Sequence, residues 1–202
     1  MKALLIVDMQ NDFLPGGALA VPEGNQIIPF INQLQEKFTC VVATKDWHPA
    51  HHISFASRHG KQPGEVIDIG GVKQVLWPDH CIQDTPGAAF SPLLNTDKIQ
   101  QVFFKGIDRQ VDSYSTFYDN AHMRSTGLAD YLHQLKIDEI VIVGLATEYC
   151  VKYSVLDALK LGFKVTVVLD ACRGIDLQSG DSVRAIAEMR AAGAQVVKAA
   201  QI

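Results

Sequence analysis

Apolar residues along the chain gather into six short runs: "ALLIVD" (3–8), "CVVATKD" (40–46), "VFFK" (102–105), "EIVIVGL" (139–145), "KVTVVLD" (164–170) and "AQVVKA" (194–199). Most are rich in β-branched residues and lack polar alternation, the pattern of strands buried on both faces of a parallel sheet. Between them the period becomes helical. "GNQIIPFINQLQEKF" (24–38) puts Ile27, Ile31 and Leu34 on one stripe and confines Pro29 to the first turn. "CVKYSVLDALKLG" (150–162) spaces Val151, Val155 and Leu159 at i, i+4 and i+8 and ends on Gly162, a good C-terminal cap. "SGDSVRAIAEMRAAG" (179–193) repeats the arrangement, with Ser179 as a candidate N-cap and Gly193 as the stop.

Strands alternating with helices predict an α/β fold: a three-layer α/β/α sandwich whose mostly parallel central sheet has about six strands. A length of 202 residues suits one domain over 1–202. Residues 47–101 and 106–127 break the alternation. They are rich in Gly, Pro, His, Asp and Ser and too long for simple crossovers, and long loops in a compact domain usually carry function.

Composition narrows the function classes. A formal net charge of −4, with no Lys/Arg run, leaves no basic excess to neutralise phosphates, so nucleic acid is not expected as a partner. No apolar run approaches the ~20 residues that span a bilayer. The apolar start, Ala3 to Val7, is interrupted by Asp8 and lacks a cleavage site of the export type. Four scattered cysteines (40, 81, 150, 172) without a CxxC pair are expected to be reduced, and the protein to be cytoplasmic. Oligomeric state is not legible from composition.

Ligands of open parallel sheets bind beyond the carboxyl ends of the strands. Those ends carry Asp8, Asp46 with His48, Lys105 and, just past "VIVGL", Cys150. A cysteine at a helix N-terminus has its thiolate favoured by free N–H groups, yet a thiol at a strand–helix junction is equally an inert core filler. Asp8 reads as a turn former or a general base, and Lys105 as a snorkelling strand-end lysine or a cation that orients charges. Jointly the three make a nucleophile, a base and an orienting cation. Five of the seven histidines lie in "TKDWHPAHHISFASRHG" (44–60) and "LWPDHC" (76–81). Asp46 and His48, two apart, can project to one side of extended backbone, and His80 can close a site suited to one divalent ion, Zn²⁺, Fe²⁺ or Mn²⁺. His51, His52 and His59 read as loop or supporting residues, and His122 and His133 as surface positions. No G-x-G-x-x-G or P-loop follows any strand, which disfavours a non-catalytic nucleotide- or small-ligand-binding module.

The blocks "IVDMQNDF", "DWHP..H.SFA", "WPDHC....PGA", "KG....VDSYS.F" and "GLATEYCV" come in the order and with the residue types of nicotinamidases, also called pyrazinamidases. The chain therefore resembles that branch of the isochorismatase-like hydrolases, with a Rossmann-like fold, over roughly Ala3 to Ala199. The resemblance implies hydrolysis of the nicotinamide carboxamide by a Cys150 nucleophile, with Asp8 and Lys105 completing its triad. It implies a divalent metal on Asp46, His48 and His80, with water filling the shell and His52 or Ser54 nearby. It further implies a cis peptide bond at Leu145–Ala146, an oxyanion hole from the Ala146 and Cys150 amides, and a ring pocket of Phe13, Trp77 and Tyr114. Metal-independent amidases of carbamoyl or ureido compounds share Asp8, Lys105 and Cys150 but do not need Asp46, His48 and His80. Isochorismatase proper lacks the cysteine.

Overall fold

The structure is a computed structural model that describes residues 1–202. Its strands are β1 (Lys2–Val7), β2 (Val41–Asp46), β3 (Val66–Ile69), β4 (Val72–Val75), β5 (Gln101–Lys105), β6 (Glu139–Leu145), β7 (Lys164–Arg173) and β8 (Gln195–Val197). Its helices are α1 (Ile28–Gln35), α2 (Ala56–His59), α3 (Leu128–Gln134), α4 (Lys152–Lys160) and α5 (Asp181–Ala191). Six strands form one sheet in the order β5-β2-β1-β6-β7-β8, every neighbouring pair parallel. The order runs outward from β1 in one direction and from β6 in the other, so the chain reverses between these two central strands. A crevice opens there at the carboxyl edge.

β1 shows how the layers are built. Ala3, Leu5 and Val7 face one core with Leu128, Leu132, Val155 and Met189 of α3, α4 and α5. Leu4 and Ile6 face the other, with Ile28, Ile31 and Leu34 of α1. Leu4, Leu5 and Ile6 are all fully buried, each contributing about 1.5–3 kcal/mol by transfer from water. A strand apolar on both faces can only sit between two helical layers, which is what "ALLIV" predicts.

Several boundaries differ from expectation. The helix expected to begin at Cys150 is preceded by a π-helical turn over Thr147–Val151, and α4 starts at Lys152. The N-cap position of α5 is Gly180 rather than Ser179, and Asp181 in the first turn accepts the Gln178 N–H (2.9 Å). β7 extends to Arg173, so Cys172 lies inside a strand instead of beyond its end, and β8 is only three residues long. Within 47–101, treated as irregular, β3 and β4 form a separate antiparallel ribbon across Gly70–Gly71.

Candidate active site

β1 ends at Val7, and Asp8 turns away from the sheet with φ 51°. Lys105 ends β5 two strands away, and Cys150 lies in the turn after β6. All three are buried. Lys105 Nζ stands 2.9 Å from Asp8 Oδ2 and 3.3 Å from Cys150 Sγ, and it also donates to the Ser113 carbonyl (3.1 Å) and to Asp46 Oδ1. Thr44 Oγ1 donates to Asp8 Oδ1 (2.7 Å), while Oδ2 has no aligned hydrogen-bond donor. A carboxylate oxygen of Asp8 lies within 4.8 Å of the Cys150 sulfur. That separation keeps Asp8 a candidate base for the thiol proton, because catalytic contacts often tighten only when substrate binds.

The electrostatics follow from burial in a charged cluster. Burial works against the Lys105 charge, but Asp46 and Asp8 hold its pKa well above the ordinary lysine range. Burial also opposes the Asp46 charge, yet Lys105 and His48 hold that carboxyl well below its usual range. Asp8 moves upward, because burial outweighs the Lys105 attraction and Asp46 adds repulsion. The Cys150 thiol is pushed well up by burial and by both carboxylates, with Lys105 opposing. Burial thus works against a thiolate at Cys150 and raises the basicity of Asp8.

The Leu145–Ala146 peptide bond is cis. The Ala146 carbonyl accepts the Tyr149 and Val151 amides (3.1 and 3.2 Å), so the Cys150 amide between them is not drawn to it. Ala146 and Cys150 both line a narrow cleft together with Phe13, Trp77, Tyr114 and His80. Trp77 Nε1 donates to the Tyr114 hydroxyl (3.2 Å), and the Trp77 and Tyr149 rings meet edge to face at 4.9 Å. Every pocket residue expected from the sequence is therefore on this cleft.

Asp46, His48 and His80 can each place one ligand atom within 4.8 Å of the others. His48 Nδ1 donates to the Gly106 carbonyl (2.9 Å) and His80 Nδ1 to the Pro78 carbonyl (2.7 Å). A carbonyl only accepts, so both rings carry hydrogen on Nδ1 and turn Nε2 toward Asp46 Oδ2, 3.6 and 3.8 Å away. Backbone-anchored imidazoles beside a free carboxylate oxygen are the donor set a divalent ion needs. His52 stacks on His48 (4.1 Å between centroids) and bonds Ser54 Oγ through Nδ1 (2.8 Å), so it supports His48 rather than joining that set.

Sequence reasoning missed four contributors. Gln10 is fully buried and brackets Asp46: its amide accepts the Asp46 N–H (2.8 Å) and donates to the Asp46 carbonyl (2.7 Å). Thr44 orients Asp8. Tyr149 and Asp112 line the cleft. Gln10, Asp112 and Tyr149 lie inside motif blocks, which was a usable signal, while Thr44 gave none of its own.

The family described as Isochorismatase domain matches residues 2–201. The chain belongs to this family. Among its relatives, a nicotinamidase of Escherichia coli (strain K12) is 51% identical over 197 residues, spanning 96% of this chain and 92% of that protein. A nicotinamidase–pyrazinamidase structure from Acinetobacter baumanii is 48% identical with a TM-score of 0.96, covering 99% of this chain and 97% of that one. A Pyrococcus horikoshii pyrazinamidase solved in complex with zinc is 40% identical, with a TM-score of 0.79 and 98% of each chain covered.

Proposed function

We propose that this chain is a nicotinamidase, hydrolysing nicotinamide, and pyrazinamide by the same chemistry, to the carboxylic acid and ammonia. The observation that carries the reading is one buried ammonium, Lys105, in contact with Asp8 and with Asp46 and the Cys150 sulfur, the last two of which line an aromatic cleft. The substrate ring enters between Phe13 and Trp77, which places its carboxamide carbon at Cys150. Asp8 removes the thiol proton as sulfur bonds to that carbon, and the carbonyl oxygen becomes an oxyanion held by the Ala146 and Cys150 amides. The tetrahedral intermediate collapses by breaking the C–N bond, and Asp8 returns its proton to the departing nitrogen, releasing ammonia. Asp8 then deprotonates water, whose oxygen displaces sulfur from the thioester, and the proton ends on Cys150. Lys105 stays protonated throughout and keeps the carboxylates and sulfur in register.

Asp46, His48 and His80 would hold one divalent cation, zinc being the ion named for the pyrazinamidase relative. Bound there, it supplies a Lewis-acidic anchor for the pyridine nitrogen. No helix is long and apolar enough to cross a membrane, and four free buried thiols suit a reducing cytoplasm. Isochorismatase-like organisation as one domain over 1–202, and a place in pyridine-nucleotide salvage, belong to the same reading.

The test is ammonia release from nicotinamide before chelation, after it, and after metal add-back. Release that falls on chelation and returns with metal is expected, and Cys150→Ala should lower kcat by about 10⁴-fold or more while still binding one equivalent of metal. No release at any metal loading would favour a carbamoyl or ureido substrate instead.

A further inference from the structure

The β3–β4 ribbon stands apart from the central sheet, and of its eight strand residues only Gln74 is buried. The Gln74 side chain turns inward. Its Nε2 lies 2.7 Å from the Val75 carbonyl, 2.9 Å from Asp112 Oδ2 and 3.3 Å from the Tyr114 hydroxyl. Asp112 is held from behind by the Ser113 amide (2.8 Å), and Tyr114 also receives the Trp77 indole. One amide thus ties an otherwise exposed ribbon to two walls of the substrate cleft.

Beneath the ribbon lies a second cavity of ≈ 140 Å³, bounded by Ile53, Val72, Gln74, Asp112 and Asn120. Asp112 lines this cavity and the substrate cleft alike. The Gln74–Asp112 hydrogen bond therefore forms part of the wall between two spaces. A glutamine suits the position because its two amide hydrogens are shared among the Val75 carbonyl, the Asp112 carboxylate and the more distant Tyr114 hydroxyl.

We infer that Gln74 is a specificity-determining and positioning residue: it fixes Tyr114 and Trp77 against the substrate ring and closes the cleft off from the cavity under the ribbon, which excludes larger rings. The inference rests on the nicotinamidase reading. Two effects separate within it. Side-chain volume keeps the wall closed, and the amide hydrogens hold the aromatic walls in place.

The test compares kcat and KM of full-length, metal-loaded wild type, Gln74→Ala and Gln74→Leu on nicotinamide and its four ring-methylated isomers. Opening the wall with Ala should raise kcat/KM for at least one methylated isomer, relative to nicotinamide, by about tenfold, the scale on which a pocket discriminates one methyl group. Leu, which keeps most of the volume but no donor, should raise KM for nicotinamide several-fold with kcat nearly constant. A purely structural role would lower all five substrates by one common factor in the Ala variant, or would lower kcat alone in the Leu variant, and either result overturns the inference. Should the Ala variant fail to fold, Gln74→Ser opens the same wall and is read by the same ratios. A wild type inactive on nicotinamide would remove the functional reading itself, whereas wild-type turnover with unchanged ratios removes only the role of Gln74.

Discussion

Cys150 is surrounded by a contest of charges in which burial and two carboxylates overcome one lysine. The consequence is measurable without substrate. A thiol whose folded pKa lies well above 9 has a thiolate fraction that grows roughly tenfold per pH unit throughout the neutral range. Alkylation of the free enzyme by iodoacetamide should therefore be slow near neutrality and still be accelerating at pH 9. A rate that levels off below pH 7 would mean that Lys105 dominates and the thiolate is preformed. Asp46, a candidate metal ligand, also serves the charged cluster: Oδ1 takes the lysine, while Oδ2 faces His48 and His80. Two sites that the sequence presents as separate, a triad and a cradle, share this one carboxylate.

Elements place these side chains, and the places where an element bends matter most. Gly144 sits at the bulge between β6 and β7 with φ 119°, and a Cβ there would overlap the Val7 backbone. Only glycine lets β6 approach β1 so closely just before the nucleophile turn. Gly106 has the same role after β5: φ is 64°, its carbonyl anchors His48 Nδ1, and a Cβ would meet the His48 ring. Gly106→Ala should therefore weaken metal binding by about 10–100-fold, the usual cost of disturbing a ligand's outer partner, with far-UV circular dichroism unchanged. Metal titration by calorimetry checks this; unaltered affinity would show that His48 is held by other contacts. The ribbon formed by β3 and β4 was readable in "VIDIGGVKQV", because Gly-Gly between β-branched runs is a hairpin signal.

For the whole molecule, the cradle links metal to folding. Asp46 follows from β2, His48 from the segment after it and His80 from the far end of the ribbon segment, so the ligands converge only in the folded chain. An ion that binds this state alone stabilises it by about 2.7 kcal/mol at a hundredfold excess over Kd. Zn²⁺ should thus raise Tm by roughly 5–10 °C for a chain of this size, and chelation should reverse the rise. Scanning calorimetry with and without metal is the check, and a Tm indifferent to zinc would argue against a preformed cradle. The sequence by itself determined the layered α/β architecture, because runs apolar on both faces have no other stable home. It also determined which edge carries the chemistry, since strand ends converge by topology. Tertiary structure alone decided the rest: that Lys105 joins both carboxylates, that burial and those carboxylates push the Cys150 thiol upward, and that Thr44 and Gln74 hold Asp8 and Asp112. Those facts depend on distances and desolvation between segments far apart in the chain, and a pattern of residue types along one dimension does not encode them.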